Sequence, residues 1–356
     1  MNKTDVGLHR LSNQNISHTS ITNPHDVVHT LGAVQAQDYL GSLWAVGLRT
    51  QDHTEKDIEK AIEAKEIIRT WPMRGTLHFV SPEDIRWMLK LLTPRVISRS
   101  KSRYRDLELD ESVFSKSRKV LSKAMSGGKK IKRNDILSLL EENNIKTSEY
   151  RGLHIVGHLA QEGLICFGPR DGKQHTFVLL EEWVPKVKEI DEDEALAHLT
   201  LRYFSSHGPA TIADFSWWSG LTHGEVKKGI DLVQSKLHTE KIDEYVYWMS
   251  PDSKVQDVVP STYLLPAFDE YTVSYKNRDD VLDPQFKLKV NAGGGIFNPI
   301  IVIDGKVVGT WKRTFKKNSV VITLSPFAPF SNQELKRIEK ASQDFGTFLH
   351  MPVVFS

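Results

Sequence analysis

Thr211-Ile212-Ala213-Asp214-Phe215-Ser216-Trp217-Trp218-Ser219-Gly220-Leu221-Thr222-His223-Gly224-Glu225 is the stretch on which the fold turns. Thr211 caps a helix over 212–218, with Asp214 at the third position to return a bond to the cap. Ser219-Gly220-Leu221 is a tight turn. Thr222 and Glu225 then repeat the capping pair for a helix running to Val233. Two capped helices joined by a glycine turn are the signal of a helix-turn-helix. Upstream, a helical pattern over 192–206 stops at His207-Gly208-Pro209, and downstream residues 237–248 can pair as a β-hairpin. Helices followed by a hairpin is the order of a winged helix.

That order recurs. In the N-terminal part Asn23-Pro24-His25-Asp26 opens a helix carrying Val27, Val28, Leu31 and Val34, a short helical pattern covers 43–48, and Thr54 caps a helix over 55–64 with Asp57 as its partner. Residues 67–80 follow as two β-prone runs around a turn containing Pro72 and Gly75. In the middle, helical patterns over 131–142 and 151–162 precede a hairpin over 164–180 with Gly168-Pro169-Arg170-Asp171-Gly172-Lys173 at its tip. No residue-level repeat is visible, yet three supersecondary units agree. After Pro251 the pattern changes to strand-like runs at 262–265, 271–275, 300–304, 306–315 and 319–324, with Asp304-Gly305 as a type I′ hairpin signal. A helix over 332–349 precedes Val353-Val354-Phe355. The expected class is α+β, tandem winged-helix units followed by a C-terminal β-barrel-like domain, in segments 1–108, 109–186, 187–250 and 251–356.

At 356 residues and 40.5 kDa the chain is too long for one ordinary core. Its 39% hydrophobic and 26% charged residues exclude a disordered chain. Cys166 is the single cysteine, which excludes an internal disulfide and a zinc site of several thiolates and fits a reduced, cytoplasmic setting. No apolar run suggests a signal peptide or a membrane span. The net charge of +2 says little, but its distribution does: residues 86–133 hold fifteen Lys/Arg against four Asp/Glu. Arg95, Arg99 and Arg103, spaced by four, line one helical face, and Lys312-Arg313-Thr314-Phe315-Lys316-Lys317 forms a second basic cluster. A solvated face is the plain reading of either run. On a scaffold of winged helices a phosphate backbone is the better one, with binding that weakens steeply as salt rises. No heptad run or long dimerisation helix suggests a dimeric regulator, so a monomer cradling one duplex is expected.

No P-loop, HExxH, GxSxG or metal-ligand cluster is present, so no cofactor and no metal are expected. Gly293-Gly294-Gly295 lacks a following helix start and reads as a flexible or close-approach loop rather than a phosphate cradle.

Five blocks carry a resemblance: Gly32-Ala33-Val34-Gln35-Ala36-Gln37-Asp38; Arg69-Thr70-Trp71-Pro72-Met73-Arg74-Gly75-Thr76-Leu77-His78; His207-Gly208-Pro209-Ala210-Thr211 with Asp214 to Leu221; Leu264-Leu265-Pro266-Ala267-Phe268-Asp269-Glu270-Tyr271; and Asp304-Gly305-Lys306-Val307-Val308-Gly309-Thr310-Trp311. In content and order they resemble the AlkZ/YcaQ family of bacterial winged-helix DNA glycosylases, over about residues 5 to 350. The resemblance implies tandem winged helices with a C-terminal β-barrel, and excision of N7-alkylated guanine, including unhooking of interstrand crosslinks. It also implies double-stranded DNA as partner, association with the nucleoid, and a Gln-x-Gln catalytic motif at Gln35-Ala36-Gln37.

Two glutamines suit that chemistry. Guanine alkylated at N7 is cationic and leaves as a neutral base without a strong acid. What remains is to ease charge at the sugar and place a water against C1′, which an amide can do by accepting and donating. Residues i and i+2 diverge on an α-helix but share a side in extended backbone. The chain must therefore leave the helix by about Gln35, and Asp38-Tyr39-Leu40-Gly41-Ser42 reads as that exit. A base tied to both strands cannot swing fully into an enclosed pocket, so an open groove is required.

Other positions keep two readings. Arg74, at the first wing's tip, is a turn residue or reaches DNA. His78 is a site residue or a strand residue on the wet face. Asp269 holds water in support of the site or bonds backbone. Arg170 and Lys173 on the second wing, with Lys312 and Arg313, suit phosphate contact. Trp217-Trp218 reads as one core ring and one partly exposed ring. The rival class is a non-catalytic winged-helix DNA-binding protein, a regulator or damage-binding factor; a lyase using a lysine Schiff base is a third.

Overall fold

A computed structural model describes residues 5–253 and 260–356. The chain divides into two compact units, residues 1–58 with 196–356, and residues 59–195. The N-terminal residues thus share a unit with the C-terminal part.

In the first unit the capping pairs form as the sequence requires. Thr211 accepts from the Asp214 N–H while the Asp214 carboxylate accepts from the Thr211 N–H at 2.9 Å, starting helix Ile212–Ser219. Gly220 (φ +74°) makes the left-handed turn, and Thr222 with Glu225 starts helix His223–Val233. Strands His238–Ile242 and Tyr245–Met249 form the following hairpin, and Trp248 exchanges both backbone hydrogen bonds with Ala210. Helix Glu192–His207 supplies Tyr203 and Phe204, which are fully buried with Phe215 and Trp218. Burial of each such ring contributes roughly 1.5–3 kcal/mol. Trp217 is 44% exposed and Trp218 fully buried, the division expected of the pair.

The same unit holds a five-stranded sheet in the order Val353–Phe355, Val320–Pro326, Lys306–Phe315, Ile300–Ile303, Thr262–Leu265. It is antiparallel except for the outermost pair. Asp304 (φ +47°) and Gly305 (φ +78°) make the type I′ turn, and helix Asn332–Leu349 starts at a Ser331–Glu334 capping box. One expected strand is absent. Residues 271–275 begin as helix Glu270–Val273, because the Asp269 carboxylate accepts from the Tyr271 N–H at 2.9 Å and caps it. Tyr271, Val273 and Tyr275 owe their hydrophobicity to burial on all sides rather than to strand alternation.

In the second unit, helices Ile85–Asp106, Glu111–Met125, Arg133–Glu142 and Arg151–Gln161 pack with a sheet made from two hairpins. Ile68–Met73 pairs with Thr76–Val80, and Ile165–Phe167 pairs with Thr176–Leu179. An Arg69–Phe167 pairing joins the two hairpins, and Ile131–Lys132 adds to the far edge. Arg74 (φ +54°) and Gly75 (φ +75°) form the two-residue tip of the first hairpin. Tyr104, Phe114, Leu121, Ile136, Leu159 and Phe177 centre the core. Among the described residues no helix is long and apolar enough to cross a membrane.

Candidate active site

Helix Pro24–Leu31 starts at Asn23, whose side chain accepts from the His25 N–H, and stops at Gly32 with φ +78°. Only a glycine takes this conformation without strain, and a Cβ here would also meet the Arg202 side chain at 3.2 Å. The chain is then extended at Val34–Gln35, non-helical at Ala36, and bends at Gln37 and Asp38. The chain has therefore left the helix at Gly32, before Gln35 is reached. The expected exit at 38–42 is instead a helix start: Tyr39–Gly47 begins there, with Asp38 flanking it. Ala33, Val34 and Ala36 are buried and pin the segment, so the glutamines sit on a fixed backbone. Gln35 is 7% exposed, whereas Gln37 is exposed.

A residue that sequence reasoning passed over holds this segment. The Glu270 carboxylate, fully buried, accepts from the Gln35 N–H through Oε1 at 2.7 Å. Its Oε2 accepts from the Trp218 indole N–H at 3.0 Å and from the Ser274 hydroxyl, with His207 Nε2 at 3.7 Å. Burial lowers the pKa of His207 against the opposing pull of Glu270. The available signal was an acidic residue in an otherwise apolar run, next to the aspartate that drew attention instead. Asp269 faces elsewhere. It receives Arg49 at 2.9 and 2.8 Å in a fully buried pair, and Arg49 also donates to the Gln14 carbonyl and side chain. Asp269 is thus a brace between chain segments and a helix cap.

Asp38, next to Gln37, receives Arg313 at 2.7 and 2.9 Å, so this member of the basic cluster is ion-paired while Lys312 is exposed. At the first hairpin's tip, Arg74 lies 3.3 Å from Nε2 of His78, and His78 Nδ1 lies 3.0 Å from the Thr76 carbonyl. A carbonyl only accepts and a guanidinium only donates, so in this arrangement His78 donates through Nδ1 and accepts through Nε2. His78 is fully buried; it is not on a wet face. Arg95 is part-buried, and Arg99 and Arg103 are exposed on helix Ile85–Asp106. On the second hairpin Arg170 pairs with Glu59 and Lys173 is exposed. Nearby, Arg69 contacts the His175 ring at 3.2 Å, a contact the sequence did not suggest.

The fold and this segment define a mixed α+β protein with a glutamine-bearing loop held on a buried carboxylate. The AlkZ-like DNA glycosylase family matches residues 28–348, and the chain belongs to it. It is a DNA N-glycosylase of DNA repair. An interstrand DNA cross-link repair glycosylase of Streptomyces sahachiroi is 25% identical over 361 aligned positions, covering 93% of this chain and 92% of that protein. The solved structure of the Streptomyces sahachiroi DNA glycosylase AlkZ matches with a TM-score of 0.82, 21% identity and full coverage of both chains, which shows the shared fold.

Proposed function

We propose that the protein hydrolyses the N-glycosidic bond of N7-alkylguanine in duplex DNA, with Gln35 and Gln37 as the catalytic residues, and that it unhooks interstrand crosslinks. The observation that carries this is the extended backbone at Gln35 within a pinned segment that leaves Gln37 exposed. The alkylated base brings its own positive charge, so the bond breaks without an acid on the leaving group. The amide carbonyls accept from the attacking water and ease positive charge growing at C1′, while the amide N–H groups fix the side chains. Such positioning suffices where the leaving group is good, and it predicts selectivity for cationic lesions over uracil.

The helix-turn-helix and hairpin units act as tandem winged helices, and the five-stranded sheet as the β-barrel-like domain. Arg74, Arg95, Arg99, Arg103, Lys173 and Lys312 carry the phosphate contacts, with His78 supporting Arg74 and with Arg170 and Arg313 acting through their carboxylate partners. The enzyme works as a cytoplasmic, nucleoid-associated monomer. Incubation with duplex carrying N7-methylguanine should yield abasic sites, and a nitrogen-mustard crosslinked duplex should be unhooked. Binding to undamaged operator-like DNA without base release would favour a non-catalytic binder, and borohydride trapping of a covalent adduct would favour a lyase.

A further inference from the structure

We infer that Glu270 is a positioning residue for catalysis, a buried side chain that sets the main chain of Gln35 and so the reach of its amide. The inference rests on the catalytic role just proposed for Gln35. Glu270 is fully buried, and three groups donate to it: the peptide N–H of Gln35, the indole N–H of Trp218 and the hydroxyl of Ser274, with His207 Nε2 3.7 Å away. The first two can only donate, and they fall on different oxygens. A buried carboxyl group is tolerated when hydrogen bonds of this kind surround it.

The three donors come from three parts of the chain. Gln35 follows the helix that ends at Leu31, Trp218 lies on helix Ile212–Ser219, and Ser274 caps the short helix Glu270–Val273. The carboxylate therefore ties the backbone of the catalytic loop to helix Ile212–Ser219 in the same unit. Gln35 itself lacks the freedom to correct an error, because Val34 and Ala36 on either side are buried. A displacement of its main chain passes directly to its amide. A misplacement of roughly 1 Å at such a site costs on the order of a hundredfold in rate.

Glu270→Gln keeps the shape and replaces one acceptor oxygen by an NH2 donor, which must then face either the Gln35 N–H or the Trp218 indole. Single-turnover excision of N7-methylguanine should fall about a hundredfold, while the Kd for lesion-bearing duplex stays within roughly threefold of the wild type. In a Gln35→Ala background the same change should cost much less than a hundredfold, because a residue acting through Gln35 has little left to position. Glu270→Asp, which keeps the carboxyl group but withdraws it, serves where the amide variant is insoluble and should show the same split between rate and affinity. Wild-type rate in either soluble variant, or losses that multiply in the double variant, overturns the inference. If Gln35→Ala itself excises at the wild-type rate, the catalytic reading of Gln35 falls and this inference with it. If Gln35→Ala is impaired and Glu270→Gln is not, the role of Glu270 alone falls.

Discussion

One guanidinium nitrogen of Arg313 donates to both carboxylate oxygens of Asp38, at 2.9 and 2.7 Å, and so ties strand Lys306–Phe315 to the residue that follows Gln37. The two side chains are 14% and 29% exposed, and ion pairs near solvent contribute only about 0–1 kcal/mol to stability. The contact matters for placement more than for folding. Arg313→Ala should lower single-turnover excision by about tenfold, on the order of a 1.4 kcal/mol rise in barrier. Its melting temperature should drop by no more than a few degrees. Because Asp38 already opposes the guanidinium charge, Arg313→Ala should flatten the salt dependence of duplex binding less than Lys312→Ala does. Equal flattening would mean that the pair opens on DNA.

Gln35 and Gln37 differ in burial, and their substitutions should differ accordingly. Each alanine variant should lower excision by roughly 10²- to 10³-fold, as loss of a group acting in the transition state does, with little change in duplex affinity. Gln37→Ala should unfold at the wild-type denaturant concentration, whereas Gln35→Ala should also lose about 1 kcal/mol of stability, typical of a change at a packed position. A Gln37→Ala variant that keeps full excision would remove Gln37 from the catalytic pair.

The elements legible in the sequence were those specified by neighbouring residues. Thr211 with Asp214, Thr222 with Glu225, and Asp304-Gly305 announce their caps and turn within four positions of chain, and each forms as read. The elements that differ depend on burial and packing that local composition does not record. The run 271–275 has strand-like composition, but it is buried throughout and Asp269 caps it into a helix. Asp38-Tyr39 looks like a helix end because Gly41 follows, yet Gly41 is a packing residue: a Cβ there would lie 2.5 Å from the Asp38 carboxylate. For Glu270 the one signal is an acidic residue in an apolar run. Apart from Ser274, four positions on, its hydrogen-bond partners Trp218 and Gln35 lie 52 and 235 positions away, and no local pattern records them.

His175 offers a test of the second unit. Burial first, then the neighbouring charges of Arg69 and Arg170, pushes its pKa down to about 4. The unfolded chain protonates this ring near pH 6.5 while the folded chain does not. Stability from this group is therefore whole above about pH 6.5 and declines as pH falls toward 4. Melting temperatures measured from pH 7 to 4 should fall less steeply for His175→Gln than for the wild type. Superimposable curves would show that the ring is free to take up its proton in the folded state.

The Arg49–Asp269 pair makes the opposite prediction from Glu270, although Asp269 and Glu270 are adjacent. Both Arg49 and Asp269 are fully removed from water and joined by two hydrogen bonds. Taking the charge from one partner strands the other, at a cost of about 3–5 kcal/mol. Asp269→Asn should therefore shift the urea midpoint strongly downward. The Arg49 guanidinium also donates to the carbonyls of Gln14 and Ala45, so Arg49→Ala should release the N-terminal segment as well and destabilise at least as much. In whatever fraction of Asp269→Asn remains folded in the cold, excision per active molecule should stay near the wild type, because neither oxygen is turned toward solvent where substrate would lie. Were Asp269 instead to hold the attacking water, the same substitution would cut the rate severely and leave the urea midpoint in place.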